Sequence, residues 1–297
     1  MISYQTQLII MRYCANLWSL LALGVYITFR VLDIADLTVE GSFPLGASVA
    51  VTLLVKDVNP VTAILAAALA GGLAGVVTGL LHTKLRIPAL LAGILTMIAL
   101  YSVNLRIMGK ANVSLLGKDT AFTLVESTFG VAYSQAVLLV GVLACVLFSV
   151  LMYWFFGTEI GAAIRATGYN PQMIRAQGVD TNIMLLIGLF FSNALVAVAG
   201  ALVAQSNGFA DVGMGVGTIV IGLASVIIGE VLFGTRSFKN SLISVILGSI
   251  VYRLVIAIVL QMGMPPNDLK LFTAVLVAIA LSLPMVKGKF QSRKAGI

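Results

Sequence analysis

The chain has 297 residues, of which 60% are hydrophobic and only 10% charged, and its mean hydropathy is +1.08. A soluble domain carries about 25% charged residues, so this chain lacks the polar surface that a water-facing fold needs. Gathered into spans of about 20 residues, its apolar residues would supply roughly nine membrane crossings, which excludes a soluble enzyme and a single-anchor protein. The net charge of +7 does not point to nucleic acid, because the basic residues fall between apolar runs instead of on one polar face.

In chain order, apolar runs cover residues 14–31, 43–55, 61–81, 88–104, 136–156, 181–204, 217–234, 241–262 and 270–286. This pattern predicts an all-α integral membrane protein, a polytopic bundle of about nine (eight to ten) transmembrane helices forming a single transmembrane domain over residues 1–297. Met1 to Arg12 has no basic region followed by a cleavage site, and reads as a mature start. Lys84 and Arg86 follow the third run, Arg165 and Arg175 the fifth, Arg236 and Lys239 the seventh, and Lys287, Lys289, Arg293 and Lys294 the ninth. Positive charge marks cytoplasmic loops, so the C-terminus is expected in the cytoplasm and, by parity, the N-terminus outside. Residues 105–135 then form the longest external segment, where a short helix or two should rest at the membrane surface.

Within the third run Gly71, Gly75 and Gly79 recur every four residues, giving one helix face on which a neighbouring backbone can approach closely. Two stretches interrupt the apolar pattern. The first, residues 32–46, holds Asp33, Asp36, Glu40, two glycines and Pro44; the second, residues 205–217, holds Gln205, Asp211, Gly208, Gly213, Gly215 and Gly217. Irregular backbone at membrane depth is tolerated where it faces protein or a water-filled cavity, so both are candidate elements of a translocation path, the second being equally readable as an external loop. The residues expected along the path are Asp36, Thr38, Gly41, Ser42, Gly46, Asn193, Gln205 and Gly213. Glu230 and Arg253 lie inside spans and need partners, for which each is a candidate for the other. Cys14, Cys145 and His82 are too few and too scattered for a disulfide framework or a metal cluster.

Residues 158–180, between the fifth and sixth runs, are punctuated as two short helices. Thr158 can cap the first and Gly168 end it in a left-handed conformation; Asn170 caps the second, Pro171 takes its first position and Gly178 closes it. A capped helix so short is not stable alone, and it reads as a knob presented to a partner with Met173 and Ile174 as apolar anchors.

The string Gly161-Ala162-Ala163-Ile164-Arg165-Ala166-Thr167-Gly168-x-Asn170-Pro171, with Gly178 beyond it, resembles the cytoplasmic coupling loop of ABC importer permeases in the branched-chain amino acid and ribose permease superfamily. Asp36-Leu37-Thr38-Val39-Glu40-Gly41-Ser42 resembles the element that follows the first core helix there, in the spelling of the branch associated with tryptophan, tyrosine or uncharacterised ligands. The resemblance implies a permease subunit in the plasma membrane that pairs with a second permease copy, receives solute from an external binding protein or lipoprotein, and is driven by two cytoplasmic ATP-binding subunits. It implies that Gly161, Arg165, Ala166, Gly168, Asn170, Pro171, Met173, Ile174 and Gly178 form the ATPase-coupling site. No G-x-x-x-x-G-K-[ST] loop occurs, so ATP and Mg are expected on the partner subunits, with no cofactor or metal in this chain and no nucleic-acid partner. The expected cargo is an amino acid, aromatic or branched-chain. A nucleoside or sugar permease is an alternative. An ion-coupled secondary transporter using Asp33, Asp36, Glu40 and Glu230 is another, although the runs show no inverted repeat. An intramembrane enzyme lacks a nucleophile with a base.

Overall fold

A computed structural model describes residues 16–261, 271–275 and 277–278. The helices are α1 (Asn16–Val31), α2 (Val39–Val55), α3 (Pro60–Thr83), α4 (Ala89–Met108), α5 (Ala121–Phe129), α6 (Tyr133–Gly157), α7 (Glu159–Tyr169), α8 (Pro171–Ala176), α9 (Thr181–Asn207), α10 (Thr218–Phe233) and α11 (Phe238–Gln261). The fold is an all-α membrane bundle. Among the described residues six segments are long and apolar enough to cross a membrane, and α1 and α2 are shorter apolar helices. The expected ninth run, residues 270–286, is helical at 271–275 and 277–278, and the rest of it lies outside the described residues, as do Cys14 and the basic C-terminal tail.

α9 is the central helix, buried along most of its length from Gly188 to Gln205. The glycine face of α3 lies against it as the spacing predicts. A Cβ on Gly71 would stand 2.3 Å from the Ala197 Cβ, one on Gly75 2.3 Å from the Leu189 carbonyl oxygen, and one on Gly79 2.6 Å from the Leu186 side chain. From the opposite side Gly46 of α2 meets the Ala197 carbonyl at 2.0 Å on the same construction. α10 and α11 form a hairpin built likewise, with Gly229 against the Ser244 carbonyl and Gly248 against that of Ser225. Close backbone approach through small residues replaces the hydrophobic driving force that lipid does not supply between helices.

At one end of the bundle sits a small cap. β1 (Asn112–Ser114) pairs antiparallel with β2 (Phe209–Asp211), Asn112 facing Asp211. α5 begins at the Thr120/Thr123 capping box, and Lys118 pairs with Asp57 at 2.7 Å. The surface helix expected in residues 105–135 is therefore α5, and the strand is an addition: a three-residue strand has no periodicity to read, and its partner lies about a hundred residues away. At the other end are the C-terminus of α1, the turn between α10 and α11, and the α7–α8 pair.

Candidate functional site

The first interruption is narrower than the composition implies. α1 ends in one π-helical turn, Ile27–Val31, whose widened ladder closes with the Leu32 N–H bonding to the Ile27 carbonyl at 2.9 Å. Asp33 takes a left-handed conformation, φ 55°, and the chain reverses. Asp36 starts the return by accepting from the Thr38 N–H at 2.9 Å, and α2 then runs from Val39 straight through Gly41, Pro44 and Gly46. The expectation of irregular backbone up to Gly46 is corrected: Pro44 forfeits one helical hydrogen bond, the one to the Glu40 carbonyl, and the helix tolerates it beside Gly215.

The polar side chains of this stretch meet. The Asn193 amide, midway along α9, donates to the second Asp36 carboxylate oxygen at 2.9 Å and accepts from the Ser42 hydroxyl at 2.7 Å. Thr38 shares a 2.7 Å hydrogen bond with Thr78 of α3. Asp36, Thr38, Ser42, Thr78 and Asn193 are all 3% exposed or less, so the network is sealed between α2, α3 and α9. Four of the expected path residues are thus brought together, but they face one another in this conformation where a hydrated path was expected. Each has a partner near enough to satisfy it, and a buried polar group without one costs about 1–3 kcal/mol. The sequence carries no signal for Thr78, one of three threonines on α3.

Gly41 and Gly46 are packing positions, Gly41 against Met97 and Leu100 of α4. Gln205 accepts from the Ala121 N–H at 2.9 Å and so fastens α5 to the end of α9; Gly213 is exposed in the turn closed by Asp211. Between β2 and α10 the chain passes alongside α2 as a 3-10 turn, Val212–Gly215. There the two interrupted stretches touch. A Cβ on Gly215 would lie 2.0 Å from the Glu40 carbonyl oxygen, and the Gly217 N–H donates to the Glu40 carboxylate at 3.0 Å. Glu40 was weighed only for ion coupling; its position four residues before Pro44, inside an incomplete span, was the available signal for a joint.

α7 and α8 form as their caps predict. The Thr158 hydroxyl accepts from the Gly161 N–H, Asn170 accepts from the Met173 N–H at 3.1 Å, and Gly178 is left-handed with φ 84°. Two details are corrected. Gly168 does not end α7, which continues to Tyr169; it is glycine because a Cβ would stand 1.9 Å from the Val31 carbonyl, where α7 rests on the end of α1. Ile174 is buried at 4% exposure, because a two-turn helix lying on its own chain must turn one apolar side inward, and Met173 is the apolar side chain of α8 left facing outward. Tyr169, absent from the expected coupling residues, is 94% exposed at the end of α7. Gly161 sits against the Phe155 carbonyl, Ala166 is half-buried, and the Arg165 guanidinium lies over the Phe238 ring at 5.2 Å. Glu230 does not pair with Arg253: it pairs with Arg30 at the end of α1, while the Arg253 guanidinium stacks on Trp18 at 3.7 Å.

Apolar spans that run between the β1–β2 and α5 cap and the α7–α8 pair seated on α1 define a polytopic membrane protein. The family model described as "Branched-chain amino acid transport system / permease component" matches residues 8–281. The chain is 41% identical over 264 residues, 89% of its length and 86% of the relative's, to a tyrosine transport system permease protein of Clostridioides difficile. It is 24% identical over 240 residues, 78% of its length and 71% of the relative's, to the ribose import permease protein RbsC of Escherichia coli. A solved inward-facing ABC transporter of metal-chelate type shares its fold with a TM-score of 0.50 and 14% identity, over 94% of this chain and 85% of that one. The chain belongs to the branched-chain amino acid transport permease family of ABC importers.

Proposed function

We propose that the chain forms, with a second permease copy, the translocation path of an importer for an aromatic amino acid of the tyrosine class. An external binding protein or lipoprotein delivers the solute, and two cytoplasmic ATPase subunits supply the energy through α7–α8. The observation that carries this reading is the α7–α8 pair. It is capped at both helix starts, it presents Tyr169 and Met173 outward, and it is seated by Gly168 directly on the joint between α1 and α2. A push on α7 therefore reaches the Asp36 network through backbone contact. ATP and Mg belong to the partner subunits in this reading, and the permease contributes no catalytic group. The tyrosine class is supported by the name of the 41% identical relative.

The path would follow the seam where α2 meets the Val212–Gly217 segment, since the two polar interruptions touch there and Glu40 is half-buried beside them. Uptake of radiolabelled tyrosine into proteoliposomes holding permease, ATPase and binding protein tests the function. The reading expects uptake only with ATP inside the reach of the ATPase; uptake driven by a proton or sodium gradient without ATPase would refute it. Mass measurement of the purified assembly tests the pairing. Two copies of this chain are expected, because an ATPase pair presents two docking sites and one chain offers one α7–α8 segment; a second permease sequence would replace the homodimer.

A further inference from the structure

Two adjoining cavities lie along α6 and α11, the first of them sharing Thr158 and Arg165 with the α7 segment. The first, about 640 Å³, lies at the α7 end and is lined by Tyr153, Trp154, Thr158, Arg165, Phe238 and Lys239 among others. The second, about 380 Å³, is a groove between α6 and α11 whose walls include Val142, Val146, Val150, Leu242, Ile243 and Ile246. Tyr153 and Lys239 line both, so the groove opens into the basic cavity.

The chemistry of the two differs sharply. The basic cavity offers Arg165, Lys239 and the hydroxyls of Thr158 and Ser237, and no carboxylate among the described residues lines either cavity. Arg165 and Lys239 take part in neither of the two ion pairs among the described residues, so their charge is uncompensated by acidic side chains there. The groove is almost wholly apolar and follows α11 from Lys239 to Ile246, seven residues or about 10 Å along the helix. Tyr153 stands at the junction with Trp154 beside it in the basic cavity, as amphipathic aromatic rings prefer at a membrane interface. A water-soluble partner subunit could use the charge at the α7 end, but the groove continues between two candidate membrane spans, and a neutral lipid could fill the groove but leaves the cations unanswered.

We propose that this double cavity is a binding site for an anionic glycerophospholipid, its phosphate between Arg165 and Lys239 and one acyl chain along α6 and α11. The bound lipid fills the shallow seam between these helices and ties α7 to the start of α11 through one phosphate. Each basic residue near an anionic headgroup contributes about fivefold in binding.

The test uses the full-length permease, equilibrated in mixed micelles with equimolar dioleoyl-phosphatidylglycerol and dioleoyl-phosphatidylcholine, with bound lipid counted by native mass spectrometry. Phosphatidylglycerol should be retained at least about fivefold over phosphatidylcholine. Lys239→Gln should remove about fivefold of that preference, and Val146→Trp, which fills the groove, should reduce retention of both lipids. Glycerol 3-phosphate, which has the charge without the chains, should not displace the lipid. Equal retention of the two lipids by the unaltered protein overturns the proposal. So does an unchanged preference in Lys239→Gln, or full displacement by glycerol 3-phosphate. Each variant is compared only after its melting temperature matches the parent; should Lys239→Gln fail that check, loss of the preference in high salt replaces it, and a salt-insensitive preference counts against the site.

Discussion

The two stretches that break the apolar pattern look alike in composition and are held in opposite ways. Residues 32–46 are fixed by side chains: Asp36, Thr38, Ser42, Thr78 and Asn193 bond one another in a site closed to solvent. Residues 205–217 are fixed by backbone: left-handed Gly208 and Gly217, the short ladder to β1, and a 3-10 turn, with Gly213 at the surface. The difference shows that polarity in a membrane protein marks a place where the chain must be satisfied, and leaves open whether side chains or backbone do it. A joint fixed by side chains has discrete alternative bonding arrangements, which suits a part that switches. One fixed by glycine dihedrals keeps its shape, which suits the cap it carries.

The largest effect expected from this contrast is at Asn193. Asn193→Leu leaves a buried Asp36 oxygen and the Ser42 hydroxyl without their partners, and should cost about 3 kcal/mol or more, read as a fall in melting temperature and in yield of folded permease. A loss below about 0.5 kcal/mol would mean that the network is not closed as described. Next in size is Gly217, whose φ is 85° with open space where a Cβ would go. Gly217→Val should cost about 1–2 kcal/mol, whereas Gly217→Asn, which tolerates that conformation, should stay close to the parent. If both behave alike, backbone conformation does not hold the second stretch.

A labelling experiment sharpens the same contrast. With Cys14 and Cys145 replaced by serine, a single cysteine at Gly213 should react readily with a small aqueous thiol reagent, and one at Thr38 or Ser42 should be protected in the resting state. Equal reactivity at the three positions would remove the distinction between a sealed joint and an exposed turn. The smallest effect belongs to Asp211→Ala. It removes the carboxylate that accepts from the Gly213 N–H and from Asn112 at an exposed site, and should cost no more than about 1 kcal/mol of thermal stability. A shift as large as that of Asn193→Leu would place the weight of the fold at the cap.

Much of this was legible in the sequence because its causes are local. Apolar run length gave the spans, the four-residue glycine repeat gave the close-packing face of α3 though not its partner α9, and the caps at Thr158, Asn170 and Gly178 gave α7 and α8. What escaped depends on which distant group stands opposite. Gly168 reads as a helix terminator until the Val31 carbonyl is found against it, and Glu230 is matched with Arg253 by their depth in neighbouring spans until three dimensions give it Arg30. Ile174 and Met173 are adjacent apolar residues, and only the way α8 lies on the chain decides that one is buried and the other offered outward.

The central claim is that α7–α8 drives transport by pressing on the α1–α2 joint through Gly168, and one measurement addresses it directly: labelled tyrosine uptake and ATP hydrolysis followed together in proteoliposomes of the whole importer carrying Gly168→Val. A valine cannot occupy the 1.9 Å left beside the Val31 carbonyl, so α7 must lift from α1. The account predicts that the ATPase subunits still assemble and hydrolyse ATP while uptake falls at least about tenfold. Uptake and hydrolysis that stay coupled at the parent's ratio would contradict it.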